Sequence, residues 1–167
     1  EYLDAFPGFD TAMLERGYCL IHISHQSRWA PDNETDIMAK FISFCAKKLG
    51  LSSKCVVEGL SCGGLQAAKL AELYPETVSV LYLDAPVLNI LSMFGLGECK
   101  CEGLEKFQRE IIATYGVSSS TIVNFRKSPI DNMKPLIENN IPVIMLYGNA
   151  DTTVIYEENG KVLENYY

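Results

Sequence analysis

The sequence predicts an α/β protein, a parallel sheet flanked by helices. Three observations predict it. Short apolar runs recur at 18–24 (YCLIHIS), 54–59 (KCVVEG), 78–86 (VSVLYLDAP) and 141–148 (IPVIMLYG). Segments with helical periodicity separate them. The run at 78–86 is nearly unbroken rather than alternating, as strands covered on both faces of a parallel sheet are. The order β-α-β-α-β, a helical stretch, then β-α implies right-handed crossovers that gather every strand's C-terminal end on one edge. In such sheets the chemistry sits outside those ends.

Taken in order, residues 9–16 (FDTAMLER) read as a short helix closed by Gly17, and 18–24 as a buried strand with His22 as a core histidine. After Pro31, a helix starts at Asp32 or Asn33, both good N-caps. Its apolar positions Ile37, Phe41, Phe44, Cys45 and Leu49 approximate a helical stripe, Lys47 and Lys48 suit its last turn, and Gly50 ends it. A strand at 54–59 leads into a helix from Cys62 to Tyr74, where Ala67, Leu70, Ala71 and Tyr74 keep the i, i+3, i+4, i+7 spacing. Only Lys69 and Glu72 are charged along that helix, so most of its surface is expected to be buried. Pro75 closes it before the strand at 78–86. From 87 to 140 no strand is expected. A helix at 104–116, a serine-rich joint at 118–120 and pieces broken by Pro129 and Pro135 make this a helical insert. The strand at 141–148 and a helix at 157–167, weakened by Gly160, complete the order.

The totals bound the function. A chain of 167 residues, 48% hydrophobic and 21% charged, suits one domain (1–167) with a sizeable core. A net charge of −7 repels phosphate backbones, and Lys47-Lys48 and Arg126-Lys127 are isolated, so nucleic acid is not expected as a partner. No apolar run reaches the length of a membrane span, and no signal peptide is visible. The six cysteines read as reduced thiols of a cytoplasmic protein. Cys19, Cys45 and Cys55 lie in apolar segments as small hydrophobes. Cys99-Lys-Cys101 lacks the second pair or histidine that zinc requires, so neither metal nor cofactor is expected. The first residue is Glu1 rather than Met, and Tyr167 falls inside a helical pattern, so a piece of a longer protein is expected.

The chemistry concentrates in Gly59-Leu60-Ser61-Cys62-Gly63, a G-x-S-x-G pattern between a strand and a helix. Chance produces about 0.06 such matches in a chain this long, given glycine and serine each near 7%. A turn this sharp needs flanking residues without side chains. It exposes the serine hydroxyl above the sheet and turns the next amide, that of Cys62, toward a reacting carbonyl. A cysteine nucleophile would need glycines at 60 and 64. Residue 60 is Leu, so Ser61 is the better centre and Cys62 a backbone donor. Neither G-x-G-x-x-G nor G-x-x-x-x-G-K-[ST] occurs at the turn, which argues against a nucleotide-binding domain.

The stretches VVEGLSCGGLQAAKLAELYPETVSVLYLDAP and IPVIMLYGNADTTVIYEENG resemble the α/β-hydrolase family of serine hydrolases, chiefly bacterial esterases and lipases. The resemblance implies a partial α/β-hydrolase core with Ser61 as nucleophile, Cys62 N–H as one oxyanion donor, and Asp151, in Gly148-Asn149-Ala150-Asp151, as the triad acid. Asp84, ending LYLD, is the second choice for the acid. Capping or turn stabilisation is the bland role for either aspartate. The substrate implied is a small-molecule ester, the cofactor none, and the insert at 87–140 a lid. In that lid Met93, Phe94, Leu96, Phe107 and Tyr115 either line an acyl pocket or pack it onto the core.

The family places its histidine after the acid, yet the only histidines are His22 and His25, both upstream of Ser61. His25, Arg28 and Trp29 are candidates for substrate binding, with His25 a remote candidate for the base. The family's second oxyanion loop is also missing, since only EYLDAFPG precedes the first helix. The expectation is therefore the fourth to seventh of the family's usual eight strands, inactive alone. A non-catalytic binding protein and a serine peptidase of the same fold stand as alternatives, and the oligomeric state stays open.

Overall fold

Three strands, β1 (Cys55–Leu60), β2 (Val78–Asp84) and β3 (Val143–Leu146), form one parallel sheet in that spatial order. The structure is a computed structural model and describes residues 8–167; EYLDAFP at 1–7 lies outside the described residues. β1 pairs with β2 from Cys55↔Val78 to Leu60↔Asp84, with a register shift between Cys55 and Val56 that leaves Ser79 of β2 without a partner residue in the pairing. β3 pairs with β2 from Leu81↔Val143 to Asp84↔Leu146. All three strands thus end together, and the predicted α/β class holds, with helices flanking the sheet.

The helices are α1 (Gly8–Glu15), α2 (Asp32–Leu49), α3 (Cys62–Leu73), α4 (Leu104–Tyr115), α5 (Lys134–Glu138) and α6 (Gly160–Glu164). Gly50 and Gly116 end α2 and α4 in the left-handed conformation, at φ 67° and 64°, which glycine adopts without Cβ strain. Strand β2 stops at Asp84 because Ala85 turns to φ 41° and Pro86 brings no N–H to a ladder. Its alternation sends Leu81 and Leu83 fully into the core, while Tyr82 on the opposite face stacks on Phe9 of α1 at 4.5 Å. From Gly64 to Ala71, α3 is buried at every position but Gln66, as its apolar sequence predicts. Lys69, 2% exposed, is neutralised by Glu72 at 2.9 Å and Asp32 at 3.7 Å.

Several expectations are corrected. Residues 18–24 pair with no described strand. Residues 18–20 are exposed, and burial alternates only from 21 to 24: Ile21 and Ile23 pack against the core, and His22 between them faces out, so it is not a core histidine. Helix α2 begins at Asp32 with Pro31, not an aspartate or asparagine, at the N-cap. It buries Thr35, Met38, Ala39, Ile42 and Cys45. Ile37 and Phe44 stand 53% and 62% exposed, and Leu49 is exposed too, so the stripe is rotated from the one read in sequence. Cys19 is exposed rather than a small core hydrophobe. The last helix is a 3₁₀ turn at Tyr156–Glu158 followed by only Gly160–Glu164.

The region after β2 forms a second core. Met93, Phe94, Ile111, Ile122 and Phe125 pack with Trp29, Leu65, Val87 and Val154, with Phe107 and Tyr115 at its margin. Leu96 is exposed. One fully buried side chain ties this region to the segment that follows β3. Asn159 Oδ1 accepts the N–H groups of Leu88 at 2.8 Å and Asn89 at 2.9 Å, while its Nδ2 donates to Ile155 O at 2.9 Å. Asn159→Ala strands both amides and is expected to cost about 2 kcal/mol, read as a lower urea midpoint at unchanged slope.

Candidate active site

Ser61 stands between the last residue of β1 and the first of α3, at φ 53° and ψ −118°. A non-glycine residue there costs on the order of 1–3 kcal/mol and persists only where its surroundings over-determine it. They do so here. Ser61 N–H donates to Asp84 O at 2.9 Å, and Ser61 O accepts the N–H groups of Gly64 and Val87, each at 2.9 Å. The turn is thereby clamped to the end of β2 on both sides.

Space explains two of the three glycines. A Cβ on Gly59 would lie 2.4 Å from Gly63 O and 2.6 Å from Gly64 N, so the first turn of α3 rests on the bare Gly59 backbone. A Cβ on Gly64 would lie 2.5 Å from Pro86 Cβ. Around Gly63 nothing stands within 4 Å. The expectation that both motif glycines are crowded is corrected: Gly59 and Gly64 carry the close approach, and Gly63 does not. The G-x-S-x-G pattern therefore conceals the glycine that matters, since it counts residues and not contacts.

The Cys62 amide, at the first helical position, has no intrahelical acceptor. Its thiol is held protonated chiefly by burial, which pushes its pKa up; the nearby Arg28 charge opposes this and Glu110 reinforces it. A protonated thiol is a poor nucleophile. The same influence puts Arg28 and Glu110 within electrostatic reach of the Ser61 turn.

The other candidates lie on the same edge, beyond the adjacent parallel strands. Asp84 ends β2, and its carbonyl is already engaged by Ser61. Asp151 follows β3, where its N–H donates to Gly148 O at 3.2 Å. Its Oδ1 accepts Thr153 N–H at 2.8 Å and Val154 N–H at 3.0 Å. One carboxylate oxygen is thus spent on fixing the turn, and Oδ2 hydrogen-bonds to no described residue. This aspartate is a turn stabiliser and also presents a held, directional acceptor.

The loop carrying His25, Arg28 and Trp29 is strapped between α3 and α4. Gln66 Nε2 donates to Ser27 O at 3.2 Å, and Ser27 Oγ meets Thr114 Oγ1 at 2.9 Å. Tyr115 OH donates to Trp29 O. Trp29 is 1% exposed and its Nε1 donates to Glu110 Oε2 at 3.0 Å, a packing position. Arg28 is exposed, with Nε 3.2 Å from the same carboxylate and its guanidinium 5.8 Å from the Phe107 ring centroid. Glu110 was not legible beforehand: only its spacing from Lys106 marks it in sequence. Among the described residues no group of three or more His, Cys, Asp or Glu is placed to hold a metal.

His25 lines a cleft of about 800 Å³ beside β1, together with Gly63 and Gln66. Its Nδ1 is 3.6 Å from Glu34 Oε2, and that carboxylate also accepts the N–H groups of Gln26 and Ser27. Glu34, near the start of α2, is a second residue missed by sequence reasoning. Burial lowers the His25 pKa despite Glu34, and His22 lowers it further. Between that lowered value and the ordinary 6.5 the unfolded chain binds more protons, so stability falls as pH drops through the window. The melting temperature should fall as the pH is lowered through the ordinary histidine value of 6.5, and fall less in His25→Gln. An equal fall in both proteins would assign the loss to other groups.

No protein-family model matches the chain, and no curated protein matches it. Among solved structures it is similar to a puromycin hydrolase, solved as a serine-to-alanine mutant complexed with PGG. The identity is 18% and the TM-score 0.60, over 78% of this chain and 19% of that one. That neighbour has an α/β-hydrolase fold. The likeness shows the fold alone: this chain has part of the α/β-hydrolase fold. It spans about a fifth of the neighbour's length.

Proposed function

We propose that this chain carries the nucleophile of a serine hydrolase that cleaves carboxylic esters through an acyl-enzyme on Ser61. The observation that carries this reading is the strained backbone of Ser61 at a strand-to-helix turn. Ser61 Oγ attacks the carbonyl carbon and passes its proton to a histidine, while the Cys62 N–H donates a hydrogen bond to the carbonyl oxygen as negative charge develops on it. The alcohol leaves with that proton. Water, deprotonated by the same histidine, then releases the acid. Asp151 Oδ2 orients the imidazole and stabilises its charged form. Neither His22 nor His25 follows the acid in the chain, so the base in this reading is supplied by sequence outside these residues. The segment 87–140 acts as a cap whose α4 carries Glu110 toward the nucleophile turn.

A second reading, an amide or peptide hydrolase, is favoured by the likeness to a puromycin hydrolase. The nucleophile and its partners are the same in both, and only the leaving group differs. The test is labelling by a fluorophosphonate of the protein expressed from its complete reading frame, followed by turnover of paired ester and anilide substrates. Absence of labelling would sink both readings and leave a non-catalytic binding protein of this fold.

A further inference from the structure

Six cysteines are free, and two of them touch: the Cys99 thiol donates to Cys101 Sγ at 3.5 Å. No other two cysteines among the described residues are hydrogen-bonded. Neither of these takes part in the hydrolytic scheme. Cys99 is buried in the second core, and Cys101 is half-buried at its margin.

The residue between them holds the acid turn. Lys100 N–H donates to Thr152 O at 2.7 Å, directly after Asp151. Next to this clamp, Glu98 N–H donates to Glu158 Oε1 at 2.7 Å, and Ser92 Oγ donates to the other oxygen of that carboxylate. The 98–101 segment is therefore fastened to the loop that carries Asp151, and the two sulfurs bracket the fastening point.

We propose that Cys99 and Cys101 form a redox site, a dithiol that a small-molecule disulfide such as oxidised glutathione converts reversibly to an intramolecular disulfide, displacing Lys100 from Thr152. The Cys101 thiolate attacks one sulfur of the small disulfide and expels a small thiolate, leaving a mixed disulfide on Cys101. Cys99, deprotonated in turn, attacks Cys101 Sγ and expels the second small thiolate. Two protein S–H groups lose two protons and two electrons, and the small disulfide takes them up to become two thiols. Cys101 initiates because it is the more accessible, whereas burial pushes the Cys99 thiol up to about 11. Closure asks for roughly 1.5 Å of approach between sulfurs already in contact. Cys99 is fixed by its packing, so the movement falls on Lys100 and Cys101, and a 2.7 Å hydrogen bond does not survive a shift of that size.

The experiment equilibrates the protein in mixtures of reduced and oxidised glutathione, quenches with acid, alkylates, and cleaves after glutamate to release Cys99–Glu102. The expected oxidised peptide lacks two hydrogens and carries neither alkyl group nor glutathione. Alkylation of both cysteines in every mixture, or glutathione on both, would overturn the site. In Cys99→Ser the reaction should stop at a mixed disulfide on Cys101; a bond to any other cysteine would overturn the pairing. Hydrogen exchange at the Lys100 amide should quicken about ten-fold or more on oxidation. A disulfide with unchanged exchange there would overturn the coupling to the acid turn.

Discussion

Ser61→Ala should abolish fluorophosphonate labelling and lower turnover by about 10⁴-fold or more, without loss of the fold. Alanine keeps a Cβ, so it meets the same backbone demand at φ 53° and keeps all three clamping hydrogen bonds, which use only main-chain atoms. What disappears is the hydroxyl. Ser61→Gly provides the complementary measurement. Glycine accepts a positive φ without Cβ strain, so this variant should be equally inactive but more stable by about 1 kcal/mol, seen as a higher urea midpoint. Greater stability on losing the Ser61 side chain is the sign that strain is held at this position, as the proposed chemistry requires. Two outcomes decide against Ser61. Labelling that survives in Ser61→Ala points to another nucleophile, and a Ser61→Gly variant no more stable than wild type removes the argument from strain. Cys62 is a poor substitute in either case, since burial keeps its thiol protonated.

Much of this was legible because the relevant forces are local in sequence. The unbroken apolar run at 78–86 declares β2, Gly50 and Gly116 declare the ends of two helices, and the near absence of charge from 62 to 74 declares a helix buried almost all round. What was not legible depends on partners distant in the chain. Residues 18–24 have the composition of a strand, but a ladder needs a neighbour, and among the described residues none pairs with them. The stripe of α2 was misplaced because Ile37 and Phe44 are as apolar as Met38 and Ile42, and only the position of α3 decides which set is covered. Glu110, Glu34 and Asn159 are ordinary polar residues in sequence. Each gains its role by meeting backbone or side-chain groups brought up by other segments.

The glycine series around the turn separates motif from mechanics. Gly59→Ala drives a Cβ into backbone atoms of Gly63 and Gly64 at 2.4–2.6 Å, where no side chain can rotate away. Relief requires moving the start of α3 off the end of β1, and with it Ser61. The expected cost is about 3 kcal/mol or more, at the upper end for overpacking, with labelling lost even in whatever protein folds. Gly64→Ala meets Pro86 Cβ at 2.5 Å and Cα at 2.8 Å. Pro86 is held in the β2 exit beside Ala85 at φ 41°, so it yields little, and a cost of about 2 kcal/mol is expected. Gly63→Ala meets nothing within 4 Å, and Gly63 lies inside α3, where alanine is the better helix former by about 1 kcal/mol. It should therefore be neutral or stabilising, although Gly63 belongs to the G-x-S-x-G pattern and Gly64 does not. Urea denaturation of the three single variants tests the order directly. If Gly63→Ala proves as damaging as Gly59→Ala, the motif spacing and not the packing governs the turn. If Gly64→Ala is silent, the contact with Pro86 is not what holds α3 against the exit of β2.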